Sequence, residues 1–136
     1  MFSNPIASYQ QISRDADIRG SDPHRLIQLL FDGAIAALED AKVKIAEKDI
    51  GGKSDSIVKA ITIISDGLSA SLNLNGGGEL AEHLKALYDY MVSRLVHANV
   101  HNDVTAIDEV KGLLDDIGGA WREMGQNLKA TVGQTP

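Results

Sequence analysis

Apolar residues recur at spacings of three, four and seven along most of this chain, the pattern of helices that bury one face. In the last such segment, Ile107, Val110, Leu114 and Trp121 follow this spacing. The periodicity predicts four long helices: the first carries apolar residues from position 26 to 45, and the others extend from about 54 to 74, from 79 to about 101 and from 102 to 128. A half-buried strand would instead place an apolar residue at every second position, and no segment alternates in that way. The pattern therefore predicts an all-α protein.

Turn-forming residues set the limits of the predicted helices. Asp22 followed by Pro23 is typical of a helix start, because aspartate caps the first turn and proline suits the first helical position. Residues 48–52, with two glycines, predict the end of the first helix, and Asn-Gly-Gly-Gly at 75–78 predicts the end of the second. Since short loops make consecutive helices antiparallel neighbours, we predict an antiparallel up-down four-helix bundle.

The N-terminal residues predict a separate short unit. Asn4 and Pro5 repeat the cap-plus-proline signal, and Ile6 and Tyr9 then share one face of a short extra N-terminal helical segment. Residues 13–21 are polar and predict a linker. Such an arm can cover an apolar groove, although a frayed terminus has the same sequence character. The predicted organisation is an N-terminal arm and linker at 1–21, the bundle at 22–131 and a disordered tail at 132–136.

The first two helices carry more apolar surface than one core requires. On a helical wheel their apolar residues span over about 200°, whereas those of the fourth helix span about 140°. Tyr88 and Tyr90 point about 160° apart, which predicts that Tyr90 is the exposed or partner-contacting ring. An irregular core or self-association would also use this surplus, so both explanations stay open. The residues predicted to line a partner-binding groove are Ile27, Phe31, Ile35, Ile63, Leu74, Tyr90, Val92 and Val96.

Composition and charge narrow the range of functions. The chain has 136 residues and no cysteine, which excludes disulfides, thiolate zinc sites and thiol nucleophiles. Its formal net charge of −6 disfavours nucleic acid and anionic membranes as partners. The first ten residues do not match a signal peptide, and no apolar run approaches the roughly 18 residues needed to span a bilayer. We therefore expect a cytoplasmic protein.

The histidines do not form a convincing catalytic or metal site in the sequence. A histidine phosphotransfer bundle, the alternative function, needs a lysine and a glycine three and four residues after its histidine, but Leu84-Lys85-Ala86-Leu87 follows His83. A di-iron bundle needs two Glu-x-x-His motifs, and none is present. His97 and His101 lie one turn apart but have no evident third ligand. Neither they nor His24 receive a catalytic role, and we expect no cofactor, no metal and no enzymatic activity.

An ordered set of short motifs resembles the flagellar secretion chaperones of the FliS family. The stretch Ser-Asp-Pro-His-Arg-Leu-Ile-Gln-Leu-Leu-Phe-Asp-Gly-Ala at 21–34 is similar to the opening of the family's first long helix, with Phe31 in place of the usual tyrosine. Tyr-Gln at 9–10, Gly-Gly-Glu-Leu-Ala at 77–81, Leu-Tyr-Asp-Tyr-Met at 87–91 and Ala-Trp at 120–121 follow in the family's order. Gly67 and the pair Gly118-Gly119 depart from it, and each weakens a helix by about 1 kcal/mol relative to alanine.

The resemblance implies a chaperone that binds the C-terminal segment of flagellin, prevents its premature polymerisation and supports its delivery to the flagellar export gate. It carries over Ile6 and Tyr9 as an arm that occupies or borders the groove. A disordered amphipathic segment that folds against an apolar groove fits the surplus apolar surface. A homodimer through the same surface is a further possibility.

Overall fold

The computed structural model describes residues 23–134, and within them it contains four long helices and no strand. The helices are α1 (Pro23–Ala46), α2 (Ile50–Thr62), α3 (Gly78–His101) and α4 (Val104–Gln134), and a π-helical segment (Ile63–Ser69) continues α2. The predicted all-α fold is confirmed. Residues 1–22, including the expected cap Asp22 and the arm residues, lie outside the described part of the chain.

The helices form a ring in which each contacts its neighbours in sequence and α4 closes against α1. Ion pairs show the antiparallel arrangement of α1 and α4. Lys42, near the end of α1, lies 2.7 Å from Asp108 near the start of α4, and Asp32 lies 3.1 Å from Arg122 further along α4. The core between the helices contains aliphatic side chains, Phe31 and Tyr88. This is an antiparallel four-helix bundle.

The first two helices are joined by three residues, a tighter turn than the sequence predicts. The backbone NH groups of Lys48 and Asp49 donate to the carbonyls of Ile45 and Lys44, which satisfies two carbonyls at the end of α1. Asp49 then caps α2, because its carboxylate accepts from the NH of Gly52 at 2.9 Å. The prediction that helix two starts at residue 54 is therefore wrong: the glycines lie in its first turn.

The π-helical segment ends the second helix earlier than predicted and changes which residues it buries. Both Ile63 and Ile64 are fully buried, as are Gly67 and Leu68 one turn further on. A π turn closes hydrogen bonds over five residues, so the wheel drawn at 100° per residue does not describe this segment. Ile63, the first residue of the segment, still has right-handed helical dihedral angles (φ −62°, ψ −43°) and is a core residue, so its prediction as a surplus groove position is wrong. Leu74 lies beyond the helix, in the loop before α3.

Phe31 is also a core residue, and a glycine makes its position possible. The ring is 1% exposed, and a Cβ atom at Gly118 would lie 3.2 Å from both Cβ and Cγ of Phe31. Gly118 therefore lets α4 approach α1 closely at this level. The prediction of Phe31 as an accessible groove residue is wrong, because periodicity within α1 carries no information about the glycine opposite. Helix α4 itself continues to Gln134, past residue 131, where the sequence predicts the bundle to end.

We expect Gly118→Ala to destabilise the bundle although alanine is the better helix former. A new Cβ would press on a buried ring that has little room to move, and overpacking of this kind typically costs about 1–3 kcal/mol. Gly119→Ala is the matched control, because a Cβ atom there would meet no neighbouring side chain within 4 Å and helix propensity gains up to about 1 kcal/mol. Urea denaturation measures both. Equal stabilisation by the two substitutions would contradict the close contact.

Candidate functional site

The remaining predicted groove residues do not line one continuous groove. Ile27 and Ile35 on α1 and Val92 on α3 are half-buried and pack against the core. Ile35 also lines a cavity of about 320 Å³ between α1 and α4, whose rim carries Asp32, Glu39, Asp115 and Arg122. Leu74, Tyr90 and Val96 are exposed. The structure thus spreads the predicted set over several faces of the bundle.

The α2–α3 seam is the face on which exposed apolar residues from two helices come together. Two hydrogen bonds fix its register: Lys53 Nζ donates to the carbonyl of Asn99 at 2.7 Å, and Ser54 Oγ donates to Oδ1 of the same residue at 3.1 Å. Because the helices are antiparallel, one turn further along α2 corresponds to one turn back along α3. Val58 therefore lies at the level of Val96.

A second pair follows one more turn along the same seam. Ile61 on α2 lies at the level of Val92 on α3, and both are half-buried. Val58 and Val96 are 52% and 51% exposed. We call these four residues, Val58, Ile61, Val92 and Val96, the seam patch. Sequence reasoning found its α3 half but missed its α2 half, for which the apolar residues at 57, 58 and 61 were the available signal.

Tyr90 faces α4 and not the seam patch. Its hydroxyl donates to Glu109 Oε2 at 2.7 Å, and Nε of Arg94 donates to Oε1 of the same carboxylate at 2.7 Å. Two hydrogen bonds lower the pKa of Glu109, with the bond from Tyr90 as the larger cause and the bond from Arg94 as the second. The Tyr90–Glu109 hydrogen bond also raises the pKa of Tyr90. Tyr88, by contrast, is buried, and desolvation raises its pKa to about 12. The predicted exposure of Tyr90 is confirmed.

Three of the histidines, His24, His97 and His101, contact neighbouring side chains of the bundle. His24 stacks on Trp121 with ring centroids 4.4 Å apart, and the indole NH donates to the His24 carbonyl at 2.9 Å. His97 lies 3.2 Å from Asp103 and packs against His101. His83 is exposed on α3. Among residues 23–134, no group of three histidine, cysteine or acidic side chains is placed to hold a metal ion.

The same part of the chain contains no helix that is both long enough and apolar enough to cross a membrane. Fold and surface together define an all-helical bundle whose inter-helix seam exposes apolar side chains. The family model described as flagellar protein FliS matches residues 5–128. This chain belongs to the FliS family.

Curated relatives carry the same family name. The flagellar secretion chaperone FliS of Salmonella typhimurium is 44% identical, with 88% of each chain covered. That of Escherichia coli is 40% identical over 85% of each chain. The flagellar secretion chaperone FliSB of Pseudomonas aeruginosa is 44% identical over 85% of this chain and 91% of its own. The resemblance seen in the sequence is therefore confirmed.

We expect Glu109→Gln to make the free energy of unfolding less dependent on pH under acidic conditions. The lowered pKa of Glu109 means that its contribution to stability is present above the ordinary carboxyl pKa of 4.5 and is lost as the pH falls through the native value. Wild type should therefore lose more unfolding free energy than the variant between about pH 6 and about pH 3. Urea denaturation across this range measures the difference. Glu123→Gln, an exposed carboxylate elsewhere on α4, controls for net charge, and identical profiles for all three proteins would contradict the assignment.

Proposed function

We propose that this chain is a non-enzymatic export chaperone that binds the C-terminal segment of flagellin, prevents its premature polymerisation and supports its delivery to the flagellar export apparatus. Membership of a family whose relatives are named flagellar secretion chaperones supports the general role. The observation that supports binding of a helical segment is the seam patch. Apolar residues of two neighbouring helices point outward there at successive turns.

A disordered amphipathic segment suits this surface. Such a segment folds as it binds and lays its apolar stripe along the seam, with contacts spaced by about one helical turn. The apolar side chains that drive filament assembly are then covered. Polymerisation is prevented because the same side chains cannot contact another flagellin.

The seam patch is too small to account for tight binding by itself. Completing the burial of Val58 and Val96 contributes roughly 1 kcal/mol each, and the two half-buried residues add less, so the seam patch contributes a few kcal/mol. Micromolar affinity alone corresponds to about 8 kcal/mol. The cargo must therefore contact further surface, and exposed apolar residues elsewhere, such as Leu74, Leu80 and Met124, are available. An extended segment that wraps the bundle satisfies this requirement better than one short helix.

Charged substitutions in the seam patch test the binding surface. We expect Val58→Asp and Val96→Asp each to weaken flagellin binding at least about tenfold, because each puts a charge into an apolar contact. Val43→Asp is the matched control, since this valine is equally exposed at 52% but lies on α1. Calorimetry with purified flagellin measures the affinities, and circular dichroism checks that the variants stay folded. A loss of binding confined to Val43→Asp would place the cargo on another face.

Flagellin truncation tests the cargo segment. Full-length flagellin should bind stoichiometrically, and flagellin without its last few dozen residues should not bind, because those residues supply the amphipathic stripe. The complex should contain more helix than the sum of its free components. Undiminished binding of the truncated protein would contradict the proposal. Gel filtration of the free chaperone over a concentration series tests whether the same surface supports a homodimer.

The N-terminal arm, with Ile6 and Tyr9, stays a prediction because it lies outside the described residues. If it covers apolar surface in the free protein, deletion of residues 1–14 should increase dye binding or self-association and leave cargo affinity unchanged or tighter. If Tyr9 itself contacts flagellin, Tyr9→Ala should weaken binding by about 1–3 kcal/mol. Calorimetry on both variants distinguishes a cover from a contact. If neither variant changes dye binding, self-association or cargo affinity, the arm has no part in the site.

A further inference from the structure

A lysine-lined pocket of about 210 Å³ lies at the end of the bundle where α1 ends and α2 begins. Its lining includes three lysines and one acidic residue. The chain as a whole carries a net charge of −6, whereas this lining has more lysines than acidic residues. Most of its accessible wall is apolar and is formed by isoleucine side chains and the carbon chains of the lysines. The complete lining is Lys44, Ile45, Lys48, Asp49, Ile50, Lys53 and Asn102.

Lys53 is the buried member of this group, with 4% of its surface exposed. Its ammonium donates to the carbonyl of Asn99 and to Oδ1 of Asn102, both at 2.7 Å. Neither acceptor is charged, and an ammonium has three donors. Burial of a charge is costly unless a counter-charge or further hydrogen bonds compensate it. A carboxylate in the pocket would supply both.

The other lysines and the local backbone reinforce the positive potential. Lys48 adopts a left-handed conformation with φ 60°, and its side chain lines the pocket. Lys44 lies in the last turn of α1, where its ammonium forms a long, exposed ion pair of 3.9 Å with Glu47. The N-terminus of α2 adds the positive end of its dipole. Asp49 is the acidic member, and its carboxylate is engaged by the NH of Gly52.

We infer that this pocket binds the C-terminal carboxylate of the cargo segment, an inference that rests on the proposed function. The pocket lies at the end of the seam, because Lys53 belongs both to the pocket and to the hydrogen bonds that fix the seam. From this level, Val58 and Val96 follow one turn further along the seam. A cargo helix on the seam patch would therefore lie with its C-terminal end towards the lysines. Both its carboxylate and the negative end of its dipole would meet positive charge.

Two forms of one peptide test the assignment. A synthetic peptide of the last forty or so residues of flagellin is prepared with a free C-terminal carboxylate and as the C-terminal amide, and calorimetry measures binding to the full-length chaperone. We expect amidation to weaken binding about tenfold, since it removes the charge-assisted hydrogen bonds. The difference should shrink at high salt. Equal affinity of the two forms would overturn the inference and leave the proposed function intact.

Lysine variants connect the effect to the pocket. Lys44→Gln/Lys48→Gln should weaken binding of the acid form about tenfold and leave the amide form unchanged. Lys59→Gln/Lys111→Gln makes the same change in net charge on residues outside the pocket and should affect both forms equally and weakly. A parallel loss for acid and amide peptides in the pocket variant would overturn the assignment. Circular dichroism confirms that both double variants are folded.

A small carboxylate separates the pocket from the cargo. N-acetyl-leucine at millimolar concentration should shift the backbone NMR signals of residues 44–53 and 102, whereas N-acetyl-leucine amide should not. These shifts should vanish in Lys44→Gln/Lys48→Gln. If flagellin peptides do not bind but these shifts occur, the proposed cargo is wrong and the carboxylate pocket stands. Absence of both the shifts and the amidation effect would overturn the inference.

Discussion

The ammonium group of Lys53 joins the start of α2 to the end of α3, and the arrangement of both helices depends on it. The Asn99 carbonyl is one of the last four of α3, which have no partner within their own helix. A buried lysine is a strong donor to such a carbonyl and also balances the negative end of the helix dipole. Asn102, in the left-handed conformation that ends α3, supplies the second acceptor. Lys53, together with the hydrogen bond from Ser54 to Asn99, thus fixes the register of the two helices.

The seam patch exists because of this register. With Ser54 held against Asn99, the half-exposed valines of α2 and α3 are brought to the same level. A shift of one residue would rotate Val58 by about 100° and break up the patch. The hydrogen bonds to Asn99 at the end of the seam therefore determine which apolar side chains lie side by side along it. This division is typical of recognition surfaces, in which polar groups fix geometry and apolar area supplies most of the binding energy.

Helix periodicity was sufficient to predict the fold but not the site. Four amphipathic segments with clear breaks define a bundle whatever the details of packing, and the exposure of Tyr90 against the burial of Tyr88 follows from the wheel alone. Phe31 and Ile63 escaped prediction because their burial depends on other parts of the molecule. Gly118 admits the ring of Phe31, and Ile63 packs into the core cluster formed by all four helices. Both placements depend on contacts between helices, which a helical wheel drawn for a single helix does not contain.

The pocket was missed for a related reason. Lys44, Lys48 and Lys53 are separated by ordinary spacings, and only the tight turn between α1 and α2 together with the end of α3 brings them around one cavity. A sequence with more acidic than basic residues gives no reason to look for an anion site. The three-residue turn depends on Asp49, whose carboxylate occupies the space that a side chain at residue 52 would need. Gly52 therefore leaves room for the Asp49 cap, although glycine lowers helix propensity. The cap stabilises the tight turn between α1 and α2, and this turn brings the lysines together at the end of the seam.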